Sequence, residues 1–192
     1  MLTNTLALAA LAAVPALATP AVNVYFGQSG QATDRLRNYC DNSSFEYVTL
    51  GFINNSPEQD PSSLKYPGSD FSSHCIAAKY HDPVKNLDTK LLAQCGQLSA
   101  DVRYCQKKGK KVLLSVGGEW QTDGSANYTV STKAQGEYFA DFLWGAFGPY
   151  NAAWTKARPF DDFYGADDDD KHFVFDGFDF DLEHKFGKPP FS

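Results

Sequence analysis

In the segment FDGFDFDLE, Phe175 to Glu183, acidic and apolar residues alternate. In an extended strand, side chains two residues apart point to the same face and lie about 6.5 Å apart along the strand. Asp179, Asp181 and Glu183 would therefore share one face. Carboxylates crowded in this way raise the pKa of at least one member. Stability alone gives no reason for such a row, so the segment predicts a chemical role.

The composition is that of one globular domain with an acidic balance. At 192 residues and 43% hydrophobic content, the chain is long enough for one sizeable core. Its formal net charge of −6 argues against nucleic acid or an anionic membrane as a partner and suits a neutral ligand. The four histidines show no metal-ligand spacing, so we expect neither a metal nor another cofactor.

The N-terminus reads as a targeting segment. Leu6–Ala18 is an apolar run too short to span a bilayer comfortably, and it ends in small residues that fit a cleavage site. Residues 1–18 are therefore predicted to be a signal peptide, with the mature domain over residues 19–192. A buried, alanine-rich helix is the alternative. The predicted location is secreted, either extracellular or in the cell wall, with no membrane span.

The predicted secretion indicates that the four cysteines form disulfides. An even number in an oxidising compartment predicts two disulfides, and the sequence leaves all three pairings open. Their spacing fits neither a zinc site nor a thioredoxin-type motif. The cysteines are Cys40, Cys75, Cys95 and Cys105, and the candidate glycosylation sites are Asn42, Asn54 and Asn127.

Strand and helix patterns alternate along the chain, which predicts an α/β fold with a parallel sheet. The segment 54–86, rich in Pro, Ser, Asp and Asn, is predicted to be a long surface loop. The predicted strands are 22–27, 46–53, 111–115 and 173–183, and the predicted helices are 33–40, a stripe running from Leu91 to Cys105, and a segment that begins after Thr132 with Phe139, Phe142, Leu143, Ala146 and Phe147 on its apolar face.

Two signals converge on one edge of this predicted sheet. Chemistry in parallel sheets gathers at the carboxyl ends of the strands. The acidic row lies toward that end of the fourth strand, and Gly117-Gly118 follows the third. We therefore predict that both belong to one site.

The acidic segment and Ser115-Val116-Gly117-Gly118 together closely resemble the DGxDxDxE and SxGG signatures of glycoside hydrolase family 18. The segments 25–28 and 47–54 are similar to the first two strands of class III, plant-type chitinases, which include many secreted fungal enzymes. The resemblance spans residues 21–185. It implies a (β/α)8 TIM barrel, of which residues 19–192 would supply roughly the first four βα units.

The resemblance also implies roles for individual residues. Glu183 would be the general acid/base, and Asp181 would orient the 2-acetamido group of the substrate. The carbonyl oxygen of that group would be the nucleophile, giving an oxazolinium ion and retention of configuration. Asp179 would exchange a proton with Asp181, with Tyr25 and Ser115 as its hydrogen-bond partners.

Further expectations follow from the same resemblance. Asp176 would be structural, and the disulfides would be Cys40–Cys105 and Cys75–Cys95. Independently of the resemblance, Trp120 lies just past the glycine pair, where its aromatic face would either stack on the apolar face of a sugar ring or pack in the ordinary way. The residues expected to support the site or line the substrate are Tyr25, Gln28, Ser115, Gly117, Gly118 and Trp120, and those expected to pack against surrounding helices are Phe178, Phe180 and Leu182.

The implied function is endo-hydrolysis of the β-1,4 bonds of chitin or chito-oligosaccharides by an enzyme that is monomeric when complete. An endo-β-N-acetylglucosaminidase acting on N-glycans, or a non-catalytic lectin or inhibitor on the same barrel, are the alternatives. TIM barrels need roughly 250 residues, so the chain is expected to be the N-terminal half of a catalytic domain and inactive alone.

Overall fold

A computed structural model describes residues 21–28, 33–42, 44–75, 78–161 and 172–183, and the predicted signal peptide lies outside these ranges. Within them, no helix is long and apolar enough to cross a membrane. The strands are β1 (Asn23–Phe26), β2 (Tyr47–Ile53), β3 (Ala78–Asp82), β4 (Leu87–Ala93), β5 (Lys111–Gly118) and β6 (Gly177–Leu182), and the α-helices are α1 (Gly96–Lys107) and α2 (Lys133–Phe147).

The predicted parallel sheet is confirmed. Its strand order is β1-β2-β5-β6, and every neighbouring pair is parallel. The two central strands are buried on both faces: Val48 and Leu114 are fully buried on one face, and Thr49 and Ser115 on the other. Parallel strands that are covered on both faces have nearly continuous apolar sequences, and β2 and β5 show this pattern.

The two α-helices bury the faces that the sequence predicts. In α1, Leu98, Val102 and Cys105 are buried. Helix α2 begins after Thr132, whose hydroxyl accepts a hydrogen bond from the backbone N–H of Gln135 at 3.3 Å. Such a cap satisfies one of the amide groups that the first turn leaves without a helical partner. The whole predicted apolar face of α2 is buried.

The helix predicted over residues 33–40 is wrong, because only the short 3-10 turn Leu36–Asn38 forms there. Arg35, just before it, is extended, with φ −113° and ψ 131°. The guanidinium of Arg35 is paired with the buried carboxylate of Asp101 on α1. The ion pair ties the residue before this turn to α1, and extended backbone is the usual conformation of a residue at the N-cap position.

The surface loop predicted over residues 54–86 is also wrong. The segment contains fully buried Phe71, and β3 within it pairs with β4 in an antiparallel hairpin. Leu91, predicted on the second helix, lies in β4 instead. Its burial satisfies the apolar pattern equally well in a strand, and the left-handed backbone at Gln94 (φ 58°) separates β4 from α1.

The fourth strand is shorter than predicted. It begins at Gly177, and the preceding Phe173 and Phe175 pack as buried core residues against Phe160. The expectation that the outer face of β6 packs against helices is wrong for Phe180 and Leu182, which are 65% and 48% exposed. Strand β6 is at the edge of the sheet, and in the described part of the chain no helix covers its end.

Both disulfides pair as the resemblance implies. Cys40–Cys105 joins the segment after the 3-10 turn to the end of α1, and Cys75–Cys95 joins the start of the hairpin to the start of α1. Cross-links of this kind stabilise small secreted domains by roughly 2–4 kcal/mol each, mainly by constraining the unfolded chain.

Candidate active site

The acidic row lies on the face of β6 that the alternation predicts. In the ladder between β5 and β6, Ser115 pairs with Asp179 and Gly117 pairs with Asp181. The two signals from the sequence, the SxGG motif and the row of acids, are therefore neighbours across one pair of strands. Both lie toward the carboxyl ends of these strands.

The carboxylate of Asp179 is held by two donors. The hydroxyl of Tyr25 donates to its Oδ2 at 2.8 Å, and the hydroxyl of Ser115 donates to the same oxygen at 2.7 Å. Partial burial, this hydrogen bond and the charges of Asp179 and Asp181 raise the pKa of Tyr25 to about 12. Tyr25 therefore remains a hydrogen-bond donor throughout the ordinary pH range.

The contact between Tyr25 and Asp179 also reveals the shape of the sheet. Their strands, β1 and β6, lie at opposite ends of the strand order. Three strand spacings amount to about 14 Å in a flat sheet, which is farther than a tyrosine side chain reaches. The hydrogen bond between the two residues therefore requires a curved sheet with both side chains on its concave face.

Glu183 follows the last residue of β6, and the pKa of its carboxyl group is raised. Although Glu183 is exposed, partial loss of hydration at the strand end is the largest cause, followed by the negative charges of Asp181 and Glu119 and by a hydrogen bond with Asp181. Each of these effects disfavours the charged form. Glu183 is therefore a carboxyl group that keeps its proton to higher pH than an ordinary glutamate, as a general acid requires.

A cleft of about 400 Å³ opens beside Glu183. Its walls come from the ends of β1, β2 and β5 and from the segments that follow β2 and β5. The polar side chains that line it are Gln28, Asn54, Asp70, Ser72, Glu119, Gln121, Ser125 and Glu183.

Gly117 has a steric reason to lack a side chain. Its φ is +133°, and a Cβ placed there would lie 1.9 Å from the carbonyl oxygen of Asp181. The neighbouring Gly118 also has positive φ (+89°), and both line the cleft. The close approach of β6 to β5 next to the acids therefore depends on the absence of a Cβ at Gly117.

The remaining predicted site residues divide between the cleft and the outer surface. Trp120 is half-buried and is not among the described residues that line the cleft. Of the candidate glycosylation sites, Asn42 is exposed and Asn127 is half-buried, while Asn54 lies in the cleft wall. In the described ranges, no three His, Cys, Asp or Glu side chains are grouped to hold a metal ion.

Asp176 is structural, as predicted. It accepts hydrogen bonds from the ammonium of Lys111 (2.8 Å), the backbone N–H of Val112 (2.9 Å) and the side-chain amide of Gln106 (3.0 Å). Partial burial opposes ionisation of this carboxyl group, but the three donors prevail and lower its pKa. The residue ties the start of β6 to β5 and α1.

Sequence reasoning missed two residues next to Glu183. No sequence pattern assigns a role to Glu119, but its negative charge helps to raise the pKa of Glu183. The hydroxyl of Tyr128 accepts a hydrogen bond from the backbone N–H of Glu183 at 2.9 Å. No local pattern marks Tyr128, because its contact forms only when the segment between β5 and α2 folds back over the strand ends.

Comparison with known proteins gives a consistent set of relatives, although no protein-family profile matches the chain. A probable endochitinase of Arthroderma benhamiae is 38% identical over 91% of this chain and 22% of its own length. Endochitinase A of Aspergillus niger is 39% identical over 92% of this chain and 13% of its own length. The chain thus spans about a fifth or less of the length of these relatives.

Two solved structures resemble the fold of this chain. The chitinase ICChI of Ipomoea carnea superposes with a TM-score of 0.56, at 25% identity over 86% of this chain and 47% of that one. A xylanase and alpha-amylase inhibitor of Scadoxus multiflorus also superposes with a TM-score of 0.56, at 26% identity over 87% and 46%. The chain therefore spans a little under half of each of these structures.

Proposed function

This chain belongs to glycoside hydrolase family 18 together with the fungal endochitinases, and we propose that it carries the acid/base machinery of a chitinase. The proposed reaction is endo-hydrolysis of β-1,4 bonds between N-acetylglucosamine units. The observation that supports it most is the row Asp179, Asp181 and Glu183, which ends in a carboxyl group of raised pKa beside an open cleft.

The first step begins with the proton that Glu183 retains. Glu183 donates it to the glycosidic oxygen, and the bond from that oxygen to the anomeric carbon breaks. The carbonyl oxygen of the substrate's own 2-acetamido group attacks the same carbon and forms an oxazolinium ion. Substrate assistance of this kind replaces the carboxylate nucleophile that most retaining glycosidases use.

The second step reverses the role of Glu183. Its carboxylate takes a proton from a water molecule, and the oxygen of that water bonds to the anomeric carbon and reopens the oxazolinium ring. Two inversions at the same carbon give a product with retained configuration, and Glu183 ends the cycle protonated.

Asp181 and Asp179 support the acetamido group during both steps. Asp181 shares a face of β6 with Asp179 and is hydrogen-bonded with Glu183, and it would orient the acetamido nitrogen and stabilise its developing positive charge. Asp179 is held in one orientation by Tyr25 and Ser115 and would exchange a proton with Asp181. Preorganised charges of this kind cost no rearrangement when the reaction occurs.

The curvature of the sheet supports a (β/α)8 barrel as the complete architecture. A curved parallel sheet with polar side chains on its concave face is part of such a barrel, and its chemistry lies at the carboxyl ends of the strands. We propose that the described strands form the N-terminal part of that barrel. The two disulfides likewise favour secretion.

A binding protein without hydrolytic activity is the second candidate, because the fold of the chain resembles that of an inhibitor about as closely as that of a chitinase, with 26% and 25% identity respectively. The intact acidic row favours the enzyme, since a sugar-binding surface has no need of a carboxyl group with raised pKa next to two further acids.

The test uses the complete product of the gene with N-acetylglucosamine hexamer as substrate. Hydrolysis to shorter oligomers whose new ends are initially β-anomers is the expected result. The variant Glu183→Gln should lose about 100- to 10,000-fold in rate while still binding the hexamer. Binding by the wild type with no hydrolysis would establish the inhibitor or lectin alternative, and cleavage of an N-glycan core in preference to the hexamer would establish the endo-β-N-acetylglucosaminidase.

A further inference from the structure

Tyr128 bridges the ends of the two strands that carry the acidic row and the glycine pair. It is 6% exposed and lies between β5 and α2. Its hydroxyl accepts from the backbone N–H of Glu183 at 2.9 Å and donates to the carbonyl oxygen of Gly118 at 3.2 Å. The hydroxyl of Tyr128 therefore donates one hydrogen bond to the end of β5 and accepts another from the residue that follows β6.

The bridge lies just beyond the last pair of the strand ladder. Gly118 pairs with Leu182 at the end of β5 and β6, and Glu183 is the next residue along the chain. From this point the backbone of Glu183 no longer belongs to the ladder. The hydroxyl of Tyr128 thus extends the connection between the strands by one residue, to the residue that carries the acid.

The segment around Tyr128 is itself fixed on its other side. The carbonyl oxygen of Asn127 accepts from the backbone N–H of Ser56 at 3.0 Å, and the carbonyl oxygen of Thr129 accepts from the hydroxyl of Ser56 at 2.6 Å. Ser56 is fully buried just after β2. The residues on both sides of Tyr128 are therefore anchored, so its hydroxyl is presented in one place.

We propose that Tyr128 is a positioning residue for Glu183, whose hydroxyl fixes the backbone of the acid relative to the glycine pair. This inference rests on the proposed function, because it assigns Tyr128 to the reaction of Glu183. Glu183 itself is exposed at a strand end, so little packing holds its backbone in place. A misplacement of about 1 Å in a catalytic group can cost on the order of 100-fold in rate.

The variant Tyr128→Phe tests this role, because it keeps the ring and removes only the hydroxyl. In the complete gene product, we expect kcat on chitin oligomers to fall roughly 10- to 100-fold with KM within about twofold of wild type. A loosened Glu183 also moves away from the charges of Asp181 and Glu119, and weaker repulsion by these charges lowers its pKa. Since the acid must be protonated to act, the high-pH limb of the kcat profile should move to lower pH.

Tyr66→Phe is the matched control. Tyr66 is also buried, at 3% exposure, and its hydroxyl donates to Asp82 at 3.1 Å. Its ring contacts Phe142 of α2, and the residue does not line the cleft. Both variants lose one buried hydroxyl, so both should lower thermal stability. Only Tyr128→Phe should change kcat and its pH profile.

The outcomes separate this inference from the proposed function. An active wild type with wild-type kcat and pH profile in Tyr128→Phe would overturn the inference alone. Equal loss of kcat in both variants, with no change of pH profile, would also overturn it, by showing a purely structural role. A wild type that hydrolyses no β-1,4 bond would overturn the proposed function, and the inference with it.

Discussion

Two carboxyl groups seven residues apart in the chain, Asp176 and Glu183, have opposite environments. Asp176 lies just before β6 and accepts hydrogen bonds from an ammonium, a side-chain amide and a backbone N–H. Glu183 lies just after β6 and faces the charges of Asp181 and Glu119. The pKa of the first is lowered, and the pKa of the second is raised.

The difference shows what each end of the sheet does. Hydrogen-bond donors surround Asp176 at the amino end of β6, so ionisation of Asp176 stabilises the fold. Other carboxylates surround Glu183 at the carboxyl end, so ionisation of Glu183 is disfavoured and a proton stays available for transfer. The same strand thus carries a structural carboxylate and a candidate catalytic acid, and only their neighbours distinguish them.

The largest expected effect comes from removing the charge next to the acid. In the complete gene product, Asp181→Asn should lower kcat on chitin oligomers by about 100- to 1,000-fold, because the acetamido group loses its electrostatic support. Steady-state kinetics measure this directly. Asp88→Asn, a change on the exposed hairpin, should leave kcat within twofold. A variant at Asp181 that keeps most of the wild-type rate would remove Asp181 from the mechanism.

The next effect concerns stability at the other end of β6. Asp176→Asn should lower the free energy of unfolding by about 1–3 kcal/mol at neutral pH, since it weakens several charge-assisted hydrogen bonds at once. Urea denaturation measures the loss. Glu183→Gln, in contrast, should cost no stability, because the folded chain disfavours its charged form. Equal losses in the two variants would contradict the comparison.

Asp176 also predicts a sign for the pH dependence. A carboxyl group whose pKa is lowered by folding stabilises the fold above its ordinary value of 3.8 and stops doing so as pH falls through the lowered value. The stability difference between wild type and Asp176→Asn should therefore shrink on acidification below about pH 4. A difference that stays constant would show that the charge of Asp176 is not what matters.

The smallest effect should come from Glu119, which acts on the acid only through its charge. Glu119→Gln removes one cause of the raised pKa of Glu183. The high-pH limb of the kcat profile should then move to lower pH, and the shift should shrink at high ionic strength because exposed charges are screened. Glu137→Gln, which removes an exposed carboxylate paired with Lys133 on α2, should not move the limb.

Local pattern predicts much of the fold because the central strands and helices bury the faces that their periodicity marks. The stripe on α2 and the apolar runs of β2 and β5 are examples. Prediction fails where a tertiary contact overrides the local preference. Only a short 3-10 turn forms where residues 33–40 were expected to be helical, and Arg35 before it pairs with Asp101 of α1, while Leu91 buries its side chain from a strand rather than a helix.

Residue order alone predicts that Asp179 and Asp181 share one face of β6, with Glu183 just beyond its end, because alternation along a strand depends only on the spacing of residues. The partners of those carboxylates depend on the folded arrangement, because they come from distant parts of the chain. Tyr25 reaches Asp179 across a curved sheet, Tyr128 reaches the backbone of Glu183 from a folded segment, and Glu119 adds its charge. The hydrogen bonds fix the positions of Asp179 and Glu183, and the charge of Glu119 helps to raise the pKa of Glu183, since both effects depend on groups that are close in space and distant in the chain.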